Sequence, residues 1–361
     1  MNKRQPDSKR MSYRVSSFLL LILTLTSCEP FVPSSLQQGN PTNTASAQLV
    51  EQPTIPALPT VYQSQFLNPL DIPHPYMQDT CLFLRNKWKP TSAAPGTVVM
   101  IIMFKEISNP NRFQKLMTRL QAQNFEAINT KQLLSFMERN VRIPSRSVLL
   151  IQDGNFESKN FDENFRPYWD SLGWPVVNGW VGQPDMPQSI LKQNVELEKE
   201  GWVDHQPQGV TRDTTLSDET SKTVITRELG DSLTEFADHY GKTPYAIIWP
   251  NGGFGLRPVQ AARQLGYQLG FTSNSRGPVM YNWVPLADAS DPGRPQLIPE
   301  GAINDPLMTL PRYSADEARD AIDFVRAMGQ ESALYQEANK SIELNYYNVV
   351  CKSTYGEIPS P

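Results

Sequence analysis

Histidine and cysteine are scarce in this sequence, and an excess of basic residues is absent. The 361 residues include three histidines and three cysteines, so every candidate metal site or nucleophile draws on a short list of side chains. The 33 basic and 37 acidic residues leave a net charge of -4, which excludes nucleic acid as an expected partner because such partners need a basic surface. The apolar run at residues 18–25 is about half of the ~20 residues that a transmembrane helix needs.

The first 28 residues have the features of a lipoprotein signal peptide. Five basic residues and one acid precede the apolar run, as in an export signal. The segment Leu25-Thr26-Ser27-Cys28 resembles the bacterial lipobox, whose cysteine is acylated and becomes the mature N-terminus. We therefore expect an exported protein that only a lipid on Cys28 anchors to a bacterial membrane, on its periplasmic or cell-surface side. The alternative is an ordinary secretory signal, which also exports the chain.

Lipidation of Cys28 would leave Cys81 and Cys351 as an even pair in an oxidising compartment. A disulfide between them is the default expectation there, and it would join the two ends of the folded unit. The alternative is two unpaired buried thiols.

The chain divides into five segments by composition and periodicity. The signal peptide is followed by a disordered tether at 29–65, rich in Pro, Ser, Thr and Gln, and by an irregular arm at 66–97. Buried strands and amphipathic helices then alternate over 98–328, from the apolar run Val98–Phe104 onward, and a C-terminal extension covers 329–361. This alternation predicts an α/β fold with parallel strands, and the number of repeats favours a distorted (β/α)7-type barrel.

Ligands of parallel α/β folds gather at the carboxyl ends of the strands, so residues that follow a predicted strand are the candidate site. Four such places stand out: Gln152-Asp153-Gly154, Asp204-His205, Trp249-Pro250-Asn251-Gly252 and Leu310-Pro311-Arg312. In order and spacing, residues 98–325 resemble the polysaccharide deacetylases of carbohydrate esterase family 4, the NodB-homology domain. The resemblance implies that Trp249, Pro250, Asn251, Gly252 and Arg312 lie in substrate-facing loops.

The resemblance also implies a divalent metal, zinc or similar, that activates water to hydrolyse acetyl groups of a glycan. The family's metal-binding Asp and first metal-binding His fall on Asp153 and His205. The family's general base falls on Gln152, whose amide cannot accept a proton, and its second His falls on Gly209, which has no side-chain ligand. A rearranged shell would draw on four further residues: Asp204, Gln208, Asp213 and Glu157. The structural alternatives are an Asp153 that caps a turn and a His205 with satisfied hydrogen bonds.

Two functions follow, and the sequence leaves both open. The first is a metal-dependent deacetylase of an envelope or extracellular polysaccharide, which works with a remodelled site. The second is a non-catalytic barrel, a pseudoenzyme that binds glycan or a partner protein and needs no metal. A third, glycosidase-like function would need two carboxylates about 5–9 Å apart at the barrel mouth.

Overall fold

The computed structural model of the chain describes residues 54–154 and 156–359. The predicted signal peptide and Cys28 lie outside these residues. Among the described helices, none combines the length and the apolar character that crossing a membrane would take. The strands are β1 (Asp71–His74), β2 (Val98–Phe104), β3 (Glu126–Ala127), β4 (Arg146–Asp153), β5 (Val176–Trp180), β6 (Val203–Pro207), β7 (Ala246–Ile248), β8 (Leu269–Phe271), β9 (Val284–Ala287) and β10 (Tyr313–Ser314). The α-helices are α1 (Thr80–Trp88), α2 (Pro110–Ala122), α3 (Thr130–Arg139), α4 (Ser158–Asn164), α5 (Arg166–Leu172), α6 (Gln188–Glu200), α7 (Lys222–Thr226), α8 (Ser232–Tyr240), α9 (Leu256–Gln264), α10 (Ala315–Tyr346) and α11 (Lys352–Tyr355).

Parallel strands form the centre of the fold in the order β10-β2-β4-β5-β6, and β7 pairs in parallel with β8. Two backbone bonds join β8 to the segment before β10: Thr272 N–H to Leu310 O at 2.9 Å and Leu310 N–H to Gly270 O at 2.8 Å. Between β6 and β7 the Ala246 N–H donates to the Gln206 side chain at 3.3 Å. The predicted α/β class with parallel strands is confirmed, and these contacts arrange the strands as a distorted barrel.

Alternate residues of each strand belong to two different apolar layers. In β4, Leu149 and Ile151 pack in the interior with residues of β2, β5, β7 and β8, such as Ile101. Val148 and Leu150 face the other way, into a layer formed with α2 and α10. Because side chains alternate along a strand, the face of every polar residue near a strand end follows from this pattern.

The N-terminal and C-terminal segments pack together against the barrel. Strand β1 pairs antiparallel with β9, and the disulfide Cys81–Cys351 joins α1 to the segment after α10 across a Cα–Cα distance of 5.3 Å. The predicted irregular arm at 66–97 therefore contains a strand and a helix. The predicted tether extends too far, because Tyr62 donates to Glu331 on α10 at 2.7 Å and stacks on Trp283. The predicted boundary at residue 328 falls inside α10, whose buried side continues past it through Gly329, Ser332 and Glu343.

Candidate functional site at the carboxyl ends of the strands

Asp153 projects into the barrel interior at the end of β4. It lies two residues after Ile151, on the same face, and its register partner on β5 is Gly179. With no side chain on Gly179, the space beside it holds the Gln208 Oε1, which lies 2.9 Å from where a Cβ on that glycine would be. The mouth of the barrel therefore presents one carboxylate next to an amide oxygen.

Arg312 neutralises this carboxylate. Its Nη1 donates to Asp153 Oδ1 at 2.6 Å and its Nε donates to Thr272 O at 2.5 Å. The Arg312 side chain is 1% exposed and that of Asp153 is 12% exposed, so the ion pair is almost removed from water. The Arg312 N–H also donates to Asn274 O at 3.1 Å, which fixes the backbone just before β10. A guanidinium fixed by a backbone carbonyl thus occupies Oδ1 of Asp153.

His205 lies on the opposite face of the sheet. On β6 it follows Asp204, which faces the interior, so the His205 side chain faces outward. Its register partner on β5 is Asn178, whereas the next residue, Gln206, pairs with the interior position Gly179. The imidazole is fully buried and stacks on Tyr240 of α8 with ring centroids 4.8 Å apart. The structure therefore does not bring His205 together with Asp153.

Both ring nitrogens of His205 are already engaged. Nδ1 lies 2.9 Å from Glu198 Oε2 and Nε2 lies 2.9 Å from Asn194 Oδ1, both on α6. Burial lowers the pKa of His205, and the carboxylate of Glu198 opposes that shift. Burial by itself would raise the pKa of Glu198, but the hydrogen bond from His205 and the charge of Lys242 outweigh it and leave that pKa below its ordinary value. His205 therefore ties β6 to the helix layer, as the structural alternative expects.

Gln152 also faces the helix layer rather than the mouth. Its register partner is Asn178, in the row that contains His205. The Nε2 donates to Lys105 O at 2.7 Å and to Phe104 O at 3.3 Å, at the end of β2. Among the described residues, its Oε1 has no hydrogen-bond partner. Gln152, at the position that the resemblance gives to a general base, therefore links the end of β2 to β4.

Gly209 lies in a loop that a buried carboxylate organises. Glu228 accepts from Val210 N–H at 2.9 Å, from Thr211 N–H at 3.0 Å and from Thr211 Oγ1 at 2.7 Å. Gly209 has φ +83°, and a Cβ on it would lie 2.8 Å from Glu228 Oε2 and 3.0 Å from Pro250. A side chain at this position would therefore displace the carboxylate that holds the loop.

Sequence reasoning missed Glu228 as a residue of this region. It lies in the π-helical turn Arg227–Asp231, between α7 and α8, and its side chain is fully buried. Burial raises its pKa, but the hydrogen bonds from Thr211 and Val210 outweigh burial and leave the pKa below its ordinary value. The available signal was weak: Glu228 precedes the apolar Leu229 in a predicted helix, and a single charge in such a helix is common on its solvent-facing side.

The loop Trp249-Pro250-Asn251-Gly252 has structural contacts throughout. Trp249 is fully buried and its Nε1 donates to Met308 O at 2.7 Å. Asn251 adopts φ +50° and its Nδ2 donates to Thr214 O at 3.1 Å. A Cβ on Gly252 would lie 2.0 Å from the Oγ of Ser273. This loop supports the mouth and presents no exposed aromatic platform through Trp249.

The remaining candidates for a rearranged metal shell are dispersed. Asp204 lies near the amino end of β6. It accepts hydrogen bonds from Lys242 at 2.9 Å and from the Thr130 hydroxyl. Glu157 and Asp213 are exposed. In the described part of the chain, no group of three or more His, Cys, Asp or Glu side chains is arranged to hold a metal ion. With Asp153 paired to Arg312 and His205 facing the helices, the donor set does not fit the metal that the resemblance implies.

No protein-family model matches the chain, and no curated protein matches it. Solved structures do. The deacetylase PplD of Streptococcus pyogenes shares 19% identity over 61% of this chain and 93% of its own, with a TM-score of 0.47. IcaB from Ammonifex degensii shares 11% over 66% of this chain and 100% of its own, with a TM-score of 0.48. The BpsB deacetylase domain of Bordetella bronchiseptica shares 14% identity over 62% of this chain and 97% of its own, with a TM-score of 0.46.

The chain is similar to polysaccharide deacetylases. The likeness covers 61–66% of this chain and nearly the whole of each of these structures. The sequence identities of 11–19% are low, so the function of this chain depends on its own side chains at the site.

Proposed function

We propose that this protein is a deacetylase-like envelope lipoprotein whose barrel binds a glycan and has lost metal-dependent hydrolysis. One observation carries the proposal: the carboxylate at the position of the family's metal-binding Asp is paired with Arg312, at 2.6 Å. The pair is nearly buried, and a second hydrogen bond of the guanidinium, to Thr272 O, holds its position. A guanidinium supplies the positive charge that Asp153 needs, and it does so without an open coordination position.

The chemistry of Arg312 differs from that of a metal ion in the respects that matter for hydrolysis. A divalent metal binds water and lowers the water pKa, and it polarises a carbonyl oxygen. A guanidinium can donate hydrogen bonds but binds no ionisable water, and it stays protonated at all physiological pH values. It therefore cannot act as the general acid or base either. Gln152 cannot supply the missing base, because its amide does not accept protons and faces the helix layer.

The same features suit a binding role. Asp153 and Gln208 present an acceptor and an amide at the mouth of a barrel whose loops are held by buried groups such as Glu228, and the buried Arg312 fixes the position of the carboxylate. Sugar hydroxyls pair well with such a mixture of donors and acceptors. The similar solved structures include deacetylases of polysaccharides, which supports a glycan as the partner class. The alternative partner is another envelope protein.

The proposed location rests on the N-terminal sequence. The basic segment, the short apolar run and Leu25-Thr26-Ser27-Cys28 support export and lipidation. A lipid on Cys28 would place the barrel at a membrane surface, at the end of the polar segment that follows.

Metal content and acetate release test the loss of hydrolysis. The mature protein, purified without a metal-affinity tag, is equilibrated with zinc, desalted and measured by elemental analysis, and acetate release is assayed on chitooligosaccharides. We expect less than stoichiometric metal and no acetate. Arg312→Gln is the matched variant, and we expect it to stay metal-free because His205 remains on the other face. Stoichiometric zinc together with acetate release by the wild type would overturn the proposal and restore the deacetylase.

Binding of N-acetylglucosamine oligomers, measured by calorimetry, tests the glycan partner. Saturable binding that Asp153→Asn weakens would support it. If no heat of binding is measured for the wild type with any oligomer, the glycan partner is wrong, and envelope proteins become the candidate partners.

A further inference from the structure

A cavity lies at the amino end of the barrel, opposite the mouth that contains Asp153. Gly96 and Thr97, which immediately precede β2, form its floor, and its volume is about 160 Å³. Its other walls are residues 58–62, helix α1, the loop 280–283 and helix α10. The proposed glycan site does not involve these walls.

The cavity is lined mainly by apolar and aromatic side chains. Leu58 and Tyr62 come from the N-terminal segment, Phe83 from α1, and Met280 and Trp283 from the loop before β9. An apolar space of about 150 Å³ in a protein interior stays dry and binds a molecule such as benzene. This cavity has a comparable volume and a mainly apolar lining, but it is not sealed from solvent, because Thr60 and Val61 on its rim are exposed.

The polar groups of the lining are satisfied by the protein itself. Lys87 Nζ lies 2.8 Å from Glu343 Oε1, so the one ammonium in the wall is already neutralised. The Tyr335 hydroxyl donates to Thr60 O at 2.5 Å, and the indole Nε1 of Trp283 donates to Tyr62 O at 2.9 Å. Among the described residues, the buried polar atoms that lack a partner all belong to residues outside this lining. The charged groups of the lining are therefore paired with each other, which favours a neutral ligand over a charged one.

One wall, residues 58–62, is anchored at Tyr62, whose carbonyl accepts from Trp283 Nε1 at 2.9 Å and whose ring stacks on that indole. Residues 58–62 attach to α10 through the Tyr62 hydroxyl, which donates to Glu331 Oε2 at 2.7 Å, and through Tyr335. The same segment leads back toward the N-terminus of the chain. Displacing it would open the cavity, and a molecule inside would contact both the segment and the barrel.

We propose that this cavity is a binding site for a small, neutral, apolar molecule about the size of one aromatic ring, and that residues 58–62 close over it. Binding then stabilises the packing of the N-terminal segment on the barrel, because ligand and segment share a wall. The site is independent of the mouth and of the function proposed for it.

Fluorobenzene is the probe, observed by ¹⁹F NMR on the full mature chain. We expect a saturable change in shift or line width that benzene reverses, and slower amide exchange at Thr60, Val61 and Tyr62 in the presence of benzene. Absence of a saturable change would refute the proposal.

Two variants of α10 locate the binding. Ser332 is 3% exposed and lines the cavity, so Ser332→Leu fills it and should weaken binding at least about tenfold. Ala338 is exposed on the same helix outside the lining, so Ala338→Leu adds a similar apolar side chain and should leave the affinity unchanged. Equal affinity of Ser332→Leu and wild type would refute the assignment. If Ser332→Leu fails to unfold cooperatively, Leu58→Trp fills the cavity from the other wall and is judged by the same criterion.

Discussion

The ion pair at the barrel mouth makes a quantitative prediction about stability. Arg312→Met keeps most of the side-chain length and removes the charge. The Asp153 carboxylate, 12% exposed, is then left without its cation, and Thr272 O loses its donor at 2.5 Å. Removing one partner of a buried pair typically costs about 3–5 kcal/mol, because the other charge stays buried and uncompensated. We expect a loss in that range in the free energy of unfolding.

Equilibrium unfolding in urea at pH 7, followed by tryptophan fluorescence with the disulfide intact, measures this loss. The matched control is the exposed pair between Arg119 and Asp323, whose atoms are 2.8 Å apart and whose side chains are 39% and 50% exposed. Arg119→Met should cost no more than about 1 kcal/mol, since water screens such a pair.

A double variant separates the ion pair from simple packing. Arg312→Met combined with Asp153→Leu removes both charges, so we expect it to be more stable than Arg312→Met alone by roughly 1–3 kcal/mol. If Arg312→Met costs as little as Arg119→Met, the pair does not carry the stability assigned to it, and the argument against a metal on Asp153 fails with it.

Three further predictions concern the loop after β6 and the membrane anchor. Gly209→Ala should lower the free energy of unfolding in urea by roughly 1–3 kcal/mol, because the new Cβ would lie 2.8 Å from Glu228 Oε2. Gly173→Ala is the control: Gly173 has φ +69° and no atom within 4 Å of the new Cβ, so this variant measures the smaller cost of backbone strain alone. The pKa of Glu228 is lowered in the folded state, so its stabilisation is present above the unfolded pKa of about 4.3 and is lost as pH falls through the folded pKa. Unfolding of Glu228→Gln should accordingly depend less on pH below about 4.5 than that of the wild type, and parallel profiles would contradict this sign. Cys28→Ala should move the protein from the membrane fraction to the soluble fraction, and continued retention would rule out the lipid anchor.

The strand pattern of the barrel could be predicted from the sequence because it is a local property. The continuous apolar run at Val98–Phe104 is β2, and the apolar run at 147–151 lies within β4. A strand buried on both faces needs such runs, and helices between them need an apolar stripe at helical spacing. The α/β class and the parallel pairing follow from that order alone.

The composition of the site could not be predicted in the same way. Spacing predicted Asp153 and His205 at the carboxyl ends of their strands. Asp153 is the last residue of β4, whereas His205 is the middle residue of β6. Their side chains also lie on opposite faces, because a shift of one residue in a strand exchanges interior for exterior. The face depends on which way each strand is turned in the barrel. Strand β4 is apolar on both faces and β6 is polar on both, so neither pattern indicates it.

The sequence by itself determined the order of strands and helices, the scarcity of metal ligands and the absence of a basic surface charge excess, since these are properties of neighbouring residues and of composition. Only the tertiary structure decided that Arg312, 159 residues after Asp153, reaches its carboxylate. It also decided that Glu228 occupies the space beside Gly209. Both contacts join residues distant in the chain, and their energies depend on burial, which arises only when the barrel has closed around them.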